Sequence, residues 1–133
     1  MLTFEIQPTK KVGEIVFGMT REEVRNTLNL PFTEFKKTKF SSTLTDNFQF
    51  FHVYYDTDNR CEAIEFFQGC TLILDNTIIF PSNIDSVFTK IYGFQKDGDF
   101  YTNIEQSVSI FAPNGIIESI LLGKAGYYAT VEI

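Results

Sequence analysis

Ile15-Val-Phe-Gly-Met-Thr-Arg-Glu-Glu-Val24 is echoed further along the chain by Ile78-Ile-Phe-Pro-Ser-Asn-Ile-Asp-Ser-Val87. The offset is constant: Phe17 and Phe80 stand 63 residues apart, and so do Val24 and Val87. Behind each copy comes a turn and then a second echo, Glu62-Ala-Ile64 and Glu118-Ser-Ile120. Self-similarity at a fixed offset bears on architecture before function. It predicts an α+β fold of two tandem helix–β-meander repeats, with both helices on one face of an antiparallel sheet. Residues 1–133 then make a single domain whose halves, about 1–70 and 71–133, share that sheet.

Local signals fill in the elements. Thr20 followed by Glu23 is a capping box, in which a hydroxyl and a carboxylate satisfy each other's amides at a helix entry. Glu22 and Glu23 suit the positive end of the helix dipole, Val24 and Leu28 share a face, and Pro31 stops the segment. In the second copy Asn83 or Ser82 caps a helix whose stripe is Ile84, Val87, Phe88 and Ile91, closed by Gly93. Both helices are short enough to need a sheet beneath them. Strands are expected over 2–6, 12–17, 47–56, 60–68, 71–75, 105–111, 116–122 and 127–133. Thr57-Asp-Asn59 and Ala112-Pro-Asn-Gly115 are the turns of two hairpins. No linker rich in Gly, Pro or Ser parts the copies, which predicts one continuous sheet.

The copies differ in length. From the helix phenylalanine to the hairpin glutamate the first copy (Phe17 to Glu62) is seven residues longer than the second (Phe80 to Glu118). The excess lies around 32–47, a stretch that holds Lys36, Lys37 and Lys39. It is either a loop of the kind that carries binding function on a rigid scaffold or a solvated extension of a strand.

Fifteen Phe and six Tyr accompany no Trp, so the chain can fill an aromatic, sheet-built core. The net charge of −6 is uneven: residues 1–39 balance at +2 and residues 40–133 at −8. An acidic body argues against nucleic acid, whose phosphates require Lys and Arg. It suits a basic protein partner, or it serves ordinary solubility. The start, Met1 to Lys11, has neither signal-peptide nor membrane-anchor pattern, and no apolar run is long enough to span a bilayer. A cytoplasmic protein with no membrane association is expected. Cys61 and Cys70 then read as reduced, buried thiols, and with a single His52 they are too few for a zinc site.

Catalytic motifs are absent. Gly13, Gly18, Gly69 and Gly93 are isolated, with no phosphate loop or nucleophile elbow. Asp56-Thr-Asp58-Asn59 resembles the start of a calcium loop, but Cys61 and Phe67 stand where glycine and a carboxylate are required. Strand alternation puts Glu62 and Glu65 on opposite faces, which separates a would-be acid and base. The expectation is a non-enzyme without cofactor or metal.

Comparing the copies assigns strand faces. Val108 and Ile110 alternate with Ser107 and Ser109, so the apolar pair should face the helices. A shift of 56 residues places His52 and Tyr54 on that inner side. It turns Phe51, Val53 and Tyr55 outward beside Phe111, with Tyr127 or Tyr128 nearby and Asp56 and Asp58 as an acidic rim. Large rings on an open face mark protein-binding surfaces, unless a terminal strand, a loop or a homodimer mate covers them.

The segment Ile15–Val24, with Leu28 and Pro31 behind it, resembles the G-M-T/S-x-x-x-V…L…P opening of the β-lactamase-inhibitor-protein-like fold. That group includes secreted inhibitors and small lipoproteins of the outer-membrane barrel-assembly machinery. Here no lipobox cysteine follows a signal peptide, and the inhibitors' disulfides are not clearly matched. The resemblance implies a concave sheet that grips another protein, and in a cytoplasmic setting an immunity protein that neutralises a basic toxin domain, as monomer or homodimer. The alternatives are a small-molecule-binding module and a structural homo-oligomer.

Overall fold

The computed structural model describes residues 2–128. Its elements run β1 (Leu2–Gln7), β2 (Lys11–Val12), β3 (Ile15–Val16), α1 (Arg21–Leu28), β4 (Thr33–Phe35), β5 (Thr45–Asn47), β6 (Phe51–Tyr55), β7 (Cys61–Phe66), β8 (Cys70–Leu74), β9 (Thr77–Phe80), α2 (Ile84–Phe88), β10 (Gln95–Asp97), β11 (Phe100–Asn103), β12 (Val108–Phe111) and β13 (Ser119–Gly123). They form two sheets, ordered β3-β2-β1-β8-β9 and β10-β11-β12-β13-β7-β6-β5-β4.

The fold is therefore mainly β, and the expected α+β arrangement of two helix–meander repeats is overturned. The helices have only eight and five residues, and each packs chiefly on the strand that precedes it, α1 on β3 and α2 on β9. The five-stranded sheet covers the inner face of the eight-stranded one. Phe4 of β1 meets Phe51 edge-on at 5.4 Å between ring centroids and Phe66 at 5.3 Å. The cause is a parallel pairing of β1 with β8, Leu2 opposite Cys70 through Glu5 opposite Ile73. It gathers the strands of 2–16 and 70–80 into a sheet of their own, so the chain does not share one continuous sheet. The echoed segments correspond to β3–α1 and β9–α2, a local strand-to-helix step.

That step is built as the residues dictate. The Glu23 amide donates to Thr20 Oγ1 at 3.2 Å and the Thr20 amide to Glu23 Oε1 at 2.9 Å, closing the capping box. Asn29, left-handed at φ 51°, ends α1 two residues before Pro31. Asn83 caps α2, which stops at Phe88, while Ile91 still buries beyond its end. Asp75 and Asn76, at φ 49° and 64°, make the tight turn of the β8–β9 hairpin.

In the large sheet Val108, Leu122, Ile64 and Val53 pair in one row, and Ile110, Ile120, Phe66 and Phe51 in the next. All eight are buried. Phe51, Val53 and Tyr55 are thus core residues, exposed by 1%, 0% and 3%, and not an open face. The assumed equivalence of Val108 with His52 is off by one residue: Val108 shares its row with Val53. A one-residue slip exchanges every side chain between faces, so His52 and Tyr54 point outward. Of the strand expected over 127–133, Tyr127 and Tyr128 lie in a turn and the remainder falls outside the described residues.

Asp46 of β5 lies opposite Val53 at the end of the first buried row, and its side chain is fully buried. Arg25 grips it through Nε to Oδ2 at 2.9 Å and Nη2 to Oδ1 at 2.6 Å. Arg21 Nη1 donates to Oδ1 at 3.1 Å and the Tyr55 hydroxyl to Oδ2 at 2.8 Å. Both arginines come from α1, so this carboxylate clamps the helix to the large sheet. The same bonds hold the Arg25 guanidinium more firmly protonated than an ordinary arginine.

Two stability outcomes follow from this packing. Phe51→Ala lowers unfolding free energy by about 3–5 kcal/mol, read as a fall in the urea midpoint, whereas Phe111→Ala, at a partly exposed position, gives a clearly smaller loss. Asp46→Ala removes the acceptor that two arginines and a buried phenol share, leaving Arg21 with Leu44 and Asn59 and Arg25 with Glu34, and costs about 3 kcal/mol in the same assay.

Candidate interaction face and the cleft beneath loop 36–44

The outer face of the eight-stranded sheet follows from the row Thr102, Ser109, Leu121, Glu65, His52, Asn47 and Thr33, paired strand to strand. Rings cluster on it. The His52 ring lies 5.0 Å from Phe35, 4.8 Å from Phe67 and 6.4 Å from Tyr54. At the other end Phe100 and Phe111, cross-strand partners, sit 4.9 Å apart. Between them Tyr127 and Tyr128 meet edge-on at 5.0 Å. Gly123 is what admits Tyr127: a Cβ there would stand 2.7 Å from the tyrosine's own Cβ.

Of the residues singled out from sequence, Phe111, Tyr127 and Tyr128 belong to this face, and Phe51, Val53 and Tyr55 do not. Asp56 is only partly available. Its Oδ1 accepts the amides of Asp58 at 2.9 Å and Arg60 at 3.0 Å to cap the β6–β7 turn, and Oδ2 lies 3.8 Å from Lys124 Nζ. Asp58 is exposed in that turn. Phe35, His52, Tyr54, Phe67 and Phe100 were not foreseen here. The signal for His52 was present: Glu65 between apolar Ile64 and Phe66 must face outward, and its hairpin partner shares its face.

The length difference noted between the copies is a loop. Nine residues, 36–44, connect β4 to β5, where β10 and β11 are joined by Gly98 and Asp99 alone. The loop is folded on itself by the Thr38 amide donating to Ser41 Oγ at 3.0 Å. Its far end is fixed by Thr43 Oγ1 donating to the Tyr55 carbonyl at 2.9 Å and by Arg21 Nη2 donating to that of Leu44 at 2.9 Å. Between this loop and the outer face lies a cleft of about 460 Å³.

Tyr54, Glu62 and Tyr127 form one side of the cleft and Lys37 the other. Lys37 Nζ stands 4.3 Å from the centre of the Tyr54 ring, and the Tyr54 hydroxyl donates to Glu65 Oε1 at 2.5 Å. The register shift between Tyr54 and Tyr55 leaves Glu62 unopposed on β7, a β-bulge. The simple alternation expected for Glu62 and Glu65 is broken there, and both carboxylates act on the Tyr127 phenol. Burial first, then Glu62, Tyr128 and Glu65, push that phenol up to about 12. Burial also raises Glu62, opposed by Lys124 and Lys37, and burial lowers His52 against the pull of Glu65. Tyr54 is raised by burial and by its bond to Glu65.

Cys61 and Cys70 are free and buried, and burial pushes their thiols up to about 12 and about 11. Burial of this kind disfavours the thiolate form of both. Among the described residues no group of three or more His, Cys, Asp and Glu is placed to hold a metal ion, and no helix is long and apolar enough to cross a membrane. The arrangement offers aromatic contact, cation–π attraction and charge pairing. Compared with protein-family models, curated proteins and solved structures, the chain matches none at a significant level.

A histidine depressed in the folded state binds its proton more readily when unfolded. Its contribution is therefore complete above the unfolded value near 6.5 and is lost as pH falls towards the folded value. Urea midpoints measured from pH 8 to pH 5 should fall on acidification, and His52→Phe should remove that part of the decline.

Proposed function

We propose that the protein is a non-catalytic binder of another protein, of the inhibitor or immunity type, and that the outer face of the eight-stranded sheet is its contact surface. One observation carries this reading. The rings of Phe35, His52, Phe67, Phe100 and Phe111 lie on the face that the five-stranded sheet leaves uncovered, each at least partly open to solvent. Phe100 is 51% exposed. Rings in such a position are the residues that dominate interface energetics once a partner excludes water from them. The net charge of −6 favours a basic partner, such as a toxin domain, and speeds the encounter. The resemblance of Ile15–Val24 to the inhibitor-type helix entry implies the same use of a sheet as a grip.

The test is retention of a partner from the source cell, or of a toxin domain encoded nearby, on immobilised protein, followed by titration. Phe100→Ala with Phe111→Ala weakens that complex by roughly tenfold or more, since truncating an anchor costs above about 1.4 kcal/mol. Undiminished affinity in the double variant places the contact elsewhere.

A further inference from the structure

We propose that the cleft beneath loop 36–44 receives one lysine side chain of the protein partner, in the position that this chain's own Lys37 takes in the free molecule. The inference rests on the protein-binding reading and adds to it what the partner must present.

The two sides of the cleft differ in kind. Tyr54 and Glu62 stand on paired strands, β6 and β7, and the Tyr54 phenol is held by Glu65, so the ring is fixed and its face is turned to the cleft. Glu62 comes to the same place because the bulge turns it there. Tyr127, seated against Gly123, adds a second ring. A ring face flanked by a carboxylate attracts an ammonium group, and its apolar edge accepts a methylene stem. The cation that fills this position sits on the loop, which is tied to itself at Thr38 and Ser41 and, among the described residues, bonded to the sheet at Thr43. The acceptor is rigid and the donor is replaceable.

The other charged lining group is Asp56, and the rest of the loop side is Phe40 with hydroxyl-bearing residues such as Ser41, Ser42 and Thr43. Among the described residues Lys37 is the only cation lining the cleft, and about 460 Å³ remains open with it in place. A single ammonium on a flexible stem matches what Lys37 itself supplies, a point charge over a ring. Lys37 is then a competing internal ligand. It shares with Lys124 the compensation of Glu62 in the free protein, and it reduces apparent affinity by the fraction of molecules in which it holds the cleft.

The experiment is an NMR titration of the full chain with an acetylated and amidated peptide of alternating lysine and glycine, against a glutamate–glycine peptide of the same length. Shifts from the lysine peptide should saturate and centre on Tyr54, Glu62, Tyr127 and the loop, and the glutamate peptide should give none there. Lys37→Ala should tighten half-saturation by about tenfold if Lys37 holds the cleft for about nine-tenths of the time. Glu62→Gln added to Lys37→Ala should reverse that gain, with circular dichroism confirming that both variants fold. Unchanged half-saturation in Lys37→Ala, or shifts spread without saturation over the acidic surface, overturns the proposal. If that happens while Phe100→Ala with Phe111→Ala still loses the partner, the cleft assignment alone fails. If the peptide behaves as expected but no partner depends on the outer face, the protein-binding reading fails and the cation site stands.

Discussion

The row formed by Val108, Leu122, Ile64 and Val53 is the constraint on which the rest of the molecule turns. Four strands contribute one residue each, all fully buried, and a strand can enter that row in only one register without exchanging its faces. Once Val53 is inward, Phe51 and Tyr55 follow it into the core and His52 and Tyr54 are outward. Asp46, the next partner in the row, is then forced inside as well. A carboxylate there is tolerable only with donors around it. The arginines of α1 and the Tyr55 hydroxyl supply them, which fixes a helix too short to be stable by itself.

The same register shapes the outer face indirectly. Tyr55 and Cys61 must both point inward, and the β6–β7 hairpin achieves this with one surplus residue, Glu62. The bulge that absorbs it re-aims a carboxylate towards Tyr54 and Tyr127. Core and candidate site are therefore coupled through one irregularity in one hairpin. The ends of loop 36–44 are coupled to the core too, since Thr43 bonds the Tyr55 carbonyl and Arg21 holds both Asp46 and the Leu44 carbonyl.

Much of the local structure was legible in the residues. The capping box at Thr20 and Glu23, the Asn83 cap and the 57–59 turn stand where their side-chain chemistry puts them, and the surplus of seven residues is the loop 36–44. The Asp75-Asn76 pair is a hairpin former that was legible and passed over, and with it the β8–β9 hairpin. The pairing of β1 with β8 was not legible, because partners such as Leu2 and Cys70 are far apart in sequence and a parallel contact leaves no turn between them. Without it the helices were given a sheet face that the small sheet occupies. The inversion of Phe51, Val53 and Tyr55 has a different origin. Matching two strands by an offset assumes equal hairpins, and the bulge at Glu62 falsifies that assumption without altering a residue type. An aromatic open face was expected, with Phe111, Tyr127 and Tyr128 on it, but for the same reason His52 and Tyr54 were assigned to the opposite side.

The absence of tryptophan has an optical consequence. The intrinsic fluorescence of this chain comes from its six tyrosines. Tyr55 lies in the core bonded to Asp46, Tyr101 packs against Phe88, and Tyr92 is 78% exposed. The other three, Tyr54, Tyr127 and Tyr128, converge on the outer face, one of them bonded to a carboxylate. Half of the emitters thus stand at the candidate site, and the protein carries its own spectroscopic label there.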